Sequence, residues 1–181
     1  MKIMKKVLAI AVFGIIGFGA YAQGLQKNFV ASCDCYEIKN HFDNGQVSTT
    51  FFENKKGQKD GQETVFYQNG NIQYQRTWKN NKLDGSGNHY FRDGNVYFTE
   101  QYDNGKKTGV WKYYDDQGDL KQEIAYSGLN SDGTYKYYHA SSLYLEQTIT
   151  QGQIANQIIH NQVIYDALLE EFEQNRNITT K

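Results

Sequence analysis

Two interleaved series of glycines dictate what this chain can fold into. One falls at Gly45, Gly70, Gly94 and Gly118, in steps of 25, 24 and 24; the other falls at Gly61, Gly85, Gly109 and Gly133, in steps of 24 throughout. Self-similarity at a fixed period marks a repeat architecture, in which each unit is one supersecondary element that buries its apolar face only against its neighbours. From each second-series glycine, nine residues lead to the next first-series position. The last step reaches Ser142 in HASS, where the pattern fades.

The surrounding residues say what a unit is. FDNGQV, YQNGNI, FRDGNV and YDNGKK carry Asn-Gly or Asp-Gly, dipeptides that accept the positive φ angles of a two-residue type I′ turn, so the sequence predicts tight hairpins there. Beyond the first-series glycines the side chains alternate with a period of two: Ile72, Tyr74, Arg76, Trp78; then Val96, Phe98, Glu100, Tyr102; then Leu120, Gln122, Ile124, Tyr126. That period puts each set on one face of a strand. After the second-series glycines comes a shorter aromatic strand with Phe66, Tyr90, Tyr114 and Tyr138 at one equivalent position. Each unit is thus a hairpin, and because an isolated hairpin is barely stable in water, consecutive units must pair edge to edge. The expected fold is mainly β: a single-layer antiparallel meander of about four 24-residue hairpin units with partial end units and a short C-terminal helix cap. The composition agrees. The 15 Tyr, 10 Phe and 2 Trp supply aromatic ladders across neighbouring strands, and with no proline nothing interrupts the backbone bonding.

The segments YDNGKKTGVWKYYDDQG, WKNNKLDGSGNHYFRDGNVY and FYQNGNIQYQRTWKNNKLDG resemble the bacterial variant of the MORN repeat, over about residues 36–152. The resemblance implies a β-hairpin array used for contacts with proteins or lipid, and proteins of this variant often carry the label of a YwqK-type antitoxin. At the variant's tryptophan position stand Glu63, Gly87, Trp111 and Tyr135 in successive units. A binding face at that position would therefore be concentrated in the last two.

Residues 1–22 read as a signal peptide: Lys2, Lys5 and Lys6 precede an apolar run from Val7 to Ala20, and Ala20-Tyr21-Ala22 provides small residues at −3 and −1. The run is shorter than the roughly 20 residues that span a bilayer. Export to the periplasm or beyond is the expectation, with no transmembrane span in the mature chain and peripheral membrane contact left open. Losing three lysines with the leader takes the formal charge from −1 to −4. That argues against nucleic acid, whose binding needs a basic face, and leaves a protein as the expected partner.

Residues 23–35 read as a linker ending in Cys33 and Cys35. On an extended strand these thiols would sit close to 7 Å apart at Cα, the outer limit for a bridge. A structural disulfide and a redox pair both remain open. CDCYEIKNHF is expected to add the first strand and LYLEQTIT the last. From residue 153 to 175 the stripe of Ile158, Tyr165, Leu168, Leu169 and Phe172 predicts an amphipathic helix, spanning Asn156 to Gln174, that caps the array; residues 176–181 are expected to form a mobile tail.

Chemistry is harder to find. Gly105, Lys106 and Lys107 suggest a phosphate loop, but the position five residues before Gly105 is Glu100 and the residue after Lys106 is a lysine, so the motif fails. The dispersed His41, His89, His139 and His160 give no metal spacing, and no serine or histidine has a catalytic context. The expectation is no catalysis, no metal and no cofactor. The partner-binding candidates are the rings of Trp78, Tyr102, Trp111, Tyr126 and Tyr135.

Overall fold

The computed structural model describes residues 25–128 and 131–179. The leader expected over residues 1–22 lies outside the described residues. In chain order the elements are β1 (Gln26–Val30), β2 (Cys35–His41), β3 (Val47–Glu53), β4 (Gly61–Phe66), β5 (Ile72–Lys79), β6 (Lys82–Leu83), β7 (Gly85–Tyr90) and β8 (Val96–Asp103). There follow β9 (Lys106–Lys107), β10 (Val110–Tyr114), β11 (Leu120–Tyr126), β12 (Gly133–His139), β13 (Ser142–Thr150), β14 (Gln153–Ile159) and α1 (Gln162–Thr179). The strands form one antiparallel sheet whose spatial order follows the chain, with β6 and β9 as short flaps paired to β5 and β8. This is the open hairpin meander that the glycine period predicts.

The turns differ from the expectation. In FDNGQV the Phe42 N–H donates to the Gln46 carbonyl at 2.8 Å and the Gly45 N–H to the Phe42 carbonyl at 2.9 Å, and the same pair of bonds recurs from Tyr67, Phe91 and Asp115. These are three-residue loops in which a type I turn is followed by a left-handed residue; Gly45, Gly70, Gly94 and Gly118 take that place with φ of 86°, 89°, 99° and 88°. Asn44, Asn69 and Asp93 stay out of the left-handed region because their side-chain oxygens accept the backbone N–H two residues on. Type I′ turns occur instead at Asn80–Asn81, Asn104–Gly105, Ala140–Ser141 and Gln151–Gly152, each with both residues at positive φ. Of the four quoted segments, only YDNGKK holds one.

A bulge follows each three-residue loop. Val65 pairs with Tyr74 but Phe66 with Ile72, so Gln73 is an extra residue; Ser48, Tyr97 and Lys121 are its counterparts, and Tyr144 repeats the device after the Ala140–Ser141 turn. One inserted residue slips the alternation by one, so Ile72, Val96 and Leu120 leave the face shared by Tyr74, Phe98 and Gln122.

Within a hairpin the pairing is long, from Gly61–Trp78 to Phe66–Ile72 and from Gly85–Tyr102 to Tyr90–Val96. Between hairpins only two residue pairs join β3 to β4, β5 to β7 and β8 to β10. Past those pairs the strands diverge into the β6 and β9 turns, and large side chains fill the opening. This is how a single layer acquires an interior: register puts Ile38, Glu63, Glu100, Trp111, Ile124 and Leu145 on one face, here called the inner face, and all six are buried.

Both ends depart from the sequence reading. The stretch 26–30, expected as linker, is β1, so CDCYEIKNHF supplies the second strand rather than the first. Residues 153–159, expected as the start of the helix, form β14 beyond LYLEQTIT; the Gln151–Gly152 turn reverses the chain, and Ile154, Ile158 and Ile159 suit a strand. The helix begins at Gln162, where Asn161 caps it by accepting the Ile164 N–H at 3.1 Å. It continues through the part of the expected tail up to Thr179, with Arg176 in the last turn complementing the helix dipole.

Candidate functional site

The five rings singled out from sequence divide. Tyr102, Trp111, Tyr126 and Tyr135 form a continuous row of edge-to-face contacts, with centroids 5.2, 5.3 and 6.4 Å apart. They meet because Gly85–Tyr102, Trp111–Ile124, Ile124–Tyr135 and Tyr126–Gly133 are cross-strand pairs on the inner face. Trp111 is only 4% exposed and its indole N–H donates to the Gln101 carbonyl at 3.1 Å. A ring so enclosed is interior and presents little surface of its own to a partner. Lys107 lies over it: Nζ is 4.7 Å from the Trp111 ring and 5.1 Å from that of Tyr126. The lysine that suggested a phosphate loop thus covers the aromatic row. Burial raises the phenol pKa of Tyr102, Tyr126 and Tyr135 above 10.0.

The row ends where buried charge replaces aromatic packing. At the positions equivalent to Trp111 stand Glu63 and Gly87. Trp78, the first of the five rings, donates its indole N–H to Glu63 Oε2 at 2.9 Å, while Lys59 Nζ pairs with Glu63 Oε1 at 2.5 Å and lies 4.8 Å from the Trp78 ring. In the next unit the missing side chain of Gly87 makes room for Glu100: a Cβ there would sit 2.6 Å from Glu100 Oε1. Glu100 faces Arg76 Nε at 3.0 Å and His89 Nε2 at 3.1 Å. Neither Arg76 Nε nor Glu100 Oε1 has a partner in hydrogen-bond geometry, so this contact is an ion pair by distance. His89 stacks on Phe98 at 3.9 Å and on Tyr74 at 5.3 Å. The departures from the tryptophan position are therefore compensated by neighbouring side chains, Glu63 by Lys59 and Trp78, and Gly87 by Glu100 opposite it.

At the other end of the inner face, near the three-residue loops, an open depression of about 490 Å³ is lined by Tyr97, Tyr113, Lys121, Tyr137, Tyr144 and, from α1, Leu168. Two independent features assemble it. Register stacks Tyr113 on Phe98 at 5.3 Å, and the bulge residues Tyr97, Lys121 and Tyr144 project beside the regular ladder. Burial, reinforced by neighbouring phenols and by Glu100, pushes the Tyr113 pKa up to about 12. Nearby, burial and donation to Glu123 at 2.8 Å push Tyr138 up to about 12. Glu123 itself is held below the usual carboxylate range: burial opposes this, but the bond from Tyr138 and the charges of Lys112 and Lys136 outweigh it. The trough was missed from sequence because the bulges that aim three of its residues break the alternation. Its trace was the recurrence of large side chains three residues after Gly94 and Gly118, at Tyr97 and Lys121.

Beside the trough, α1 leaves apolar residues uncovered. Ile164, Tyr165 and Leu168 are half-buried against the sheet, while Leu169 is 43% and Phe172 65% exposed. The helix contacts β13 on the strand's face, so the stripe expected to close the array covers it only in part. Cys33 and Cys35 lie at the opposite end of the strand order and are joined by a disulfide. With Asp34 at φ 52° the segment is a turn, and the Cα atoms are 5.2 Å apart rather than the near 7 Å of an extended strand. Among the second-series glycines, Gly133 is set apart: a Cβ there would lie 2.3 Å from the Ala125 carbonyl oxygen.

Residues 59–80 and 107–127 match the family described as the MORN repeat variant. The matches start 48 residues apart, two periods, and each covers one complete hairpin, β4–β5 or β10–β11. No curated protein matches the sequence. Among solved structures, accessory secretory protein 1, 2 and 3 of Streptococcus pneumoniae is 14% identical, over 65% of this chain and 23% of that one, with a TM-score of 0.36. A TarM mutant of S. aureus, in complex with fondaparinux, alpha-GlcNAc-glycerol and UDP, is 13% identical over 60% of this chain and 20% of that one, with a TM-score of 0.37. The chain thus spans under a quarter of the length of either. No helix among the described residues is long and apolar enough to cross a membrane.

Proposed function

We propose that this protein is an exported, non-catalytic repeat scaffold of a bacterial envelope that docks a protein partner in the tyrosine-lined trough beside α1. The observation that carries the reading is the continuity of the trough with the uncovered stripe of the helix: Leu168 belongs to both, and Leu169 and Phe172 extend apolar surface from it into solvent. Tyrosines around an open depression that adjoins exposed apolar side chains, with one cation in Lys121, are the composition of a protein-recognition surface. Glu170, Glu171 and Glu173 on the same helix would repel anionic lipid, which favours a protein over a membrane. The buried carboxylates of Glu63 and Glu100 are engaged with Lys59, Trp78, Arg76 and His89, a structural use that supports a non-catalytic role.

Affinity capture from the native envelope, with the wild-type chain and with L169E/F172E, tests this. The double variant should retain its melting temperature and lose at least roughly ten-fold in partner recovery, as removal of central apolar anchors does. Equal recovery would refute docking at the trough. The antitoxin role implied by the family resemblance is tested separately, by asking whether a neighbouring open reading frame encodes a toxic product that this chain neutralises.

A further inference from the structure

We propose that the Cys33–Cys35 disulfide is an exchangeable redox group that accepts two electrons from a thiol-bearing protein or peptide. Four observations support this. First, the bridge spans a single intervening residue within the β1–β2 turn, whose strand ends are already joined by the Val30–Cys35 register pair. Loop-closure stabilisation grows with the length of chain enclosed, so a bridge over so short a segment is of least use as a staple. Second, the intervening Asp34 is held at φ 52°, left-handed backbone that a non-glycine residue adopts at some cost. The same turn is held by the Asp34 N–H to the Ala31 carbonyl at 3.4 Å and by the Asp34–Lys55 ion pair at 2.6 Å, which keeps the two sulfurs placed to re-form the bridge once it opens. Third, the two sulfurs are unequal: Cys33 is exposed and Cys35 is buried at 6%, so an attacking thiolate reaches Cys33 and not Cys35. Fourth, Leu25 and Phe29, both more than half exposed, provide apolar surface on the same hairpin and the segment leading into it, where a client segment can rest.

The exchange balances without any further reagent. A client thiolate attacks Cys33 Sγ, the Cys33–Cys35 bond breaks, and Cys35 leaves as a thiolate that takes up a proton. The second client thiolate attacks the client's own sulfur in the mixed disulfide and expels Cys33. The client gains a disulfide, the protein becomes a dithiol, and two electrons have passed to it. The chain has no other cysteine, so the pair cannot reshuffle internally. The site lies on the opposite end of the strand order from β14 and does not depend on the docking reading.

The test uses the full mature chain and dithiothreitol as the probe, with reduction followed by mass and the fold by circular dichroism. The expected result is reduction about ten-fold faster than that of oxidised glutathione at the same dithiol concentration, with spectrum and melting temperature retained. Cys35→Ser, which leaves the exposed sulfur, should form a mixed disulfide with oxidised glutathione readily, and Cys33→Ser should do so slowly. Reduction that is slower than that of glutathione, or that proceeds only as the chain melts, would overturn the proposal and make the bridge a structural one. Equal reactivity of the two single variants would also overturn it.

Discussion

Replacing Trp111 by alanine removes a ring that is 4% exposed and touches Tyr102 and Tyr126 through edge contacts, Phe98 through stacking and Lys107 through its cation. Truncating a buried tryptophan costs about 3–5 kcal/mol in lost transfer energy and residual cavity. The Gln101 carbonyl also loses its donor, so the upper half of that range is the expectation. For a chain of this size each kcal/mol moves the midpoint by about 2–4 °C, which puts the fall in melting temperature on the order of 10 °C. Trp111→Phe keeps a ring but not the indole N–H and should cost about 1–2 kcal/mol. Thermal melts followed by circular dichroism, run beside partner capture on the same preparations, give the answer. A Trp111→Ala chain that melts within about 2 °C of wild type yet captures nothing would refute the assignment of this ring to the interior.

Other expectations follow from individual contacts. Gly133→Ala forces a methyl against the Ala125 backbone, which cannot yield as a side chain would, and should destabilise by about 1–3 kcal/mol; Gly70→Ala meets open space and pays only the cost of its positive φ. Glu100→Gln leaves the Arg76 guanidinium without its carboxylate and should cost about 1–3 kcal/mol, whereas R76M/E100L, which removes both charges, should be nearly neutral; urea denaturation distinguishes them. The raised phenol pKa values make the folded state hold protons that the unfolded chain releases. Stability is therefore full below 10.0 and falls as pH rises towards about 12, so melting temperatures should decline across that window while phenolate absorbance, the second readout, rises. Glu123 acts at the other extreme: its lowered pKa gives stability that is present above the ordinary carboxylate value and is lost as pH falls through the folded one, and Tyr138→Phe should weaken that acid dependence.

The repeat was legible because a hairpin array writes its period directly into turn residues. Gly70 and Gly94 mark loops whatever the strands between them contain, so strand order followed from spacing alone. Turn type was not legible to the same degree: Asn69-Gly70 and Asn104-Gly105 look alike, yet the first closes a three-residue loop and the second a type I′ turn, a difference set by pairing on either side. The bulges at Tyr97, Lys121 and Tyr144 share no single residue type, and they decide which side chains share the trough. At the C-terminus, Ile158 and Tyr165 fit a helical stripe by spacing, although a tight turn at Gln151–Gly152 places the first on a strand. Trp111 was recognised as exceptional, but single-layer topology concealed that divergence between hairpins creates an interior for it.

The trough itself is most directly tested by covalent footprinting of the chain with and without its captured partner, read by mass at individual side chains. The account predicts protection of Tyr97, Leu169 and Phe172 in the complex, with Val110 and Thr134 on the outer face unchanged. Protection of Val110 and Thr134 with Tyr97 and Phe172 still fully reactive would contradict it.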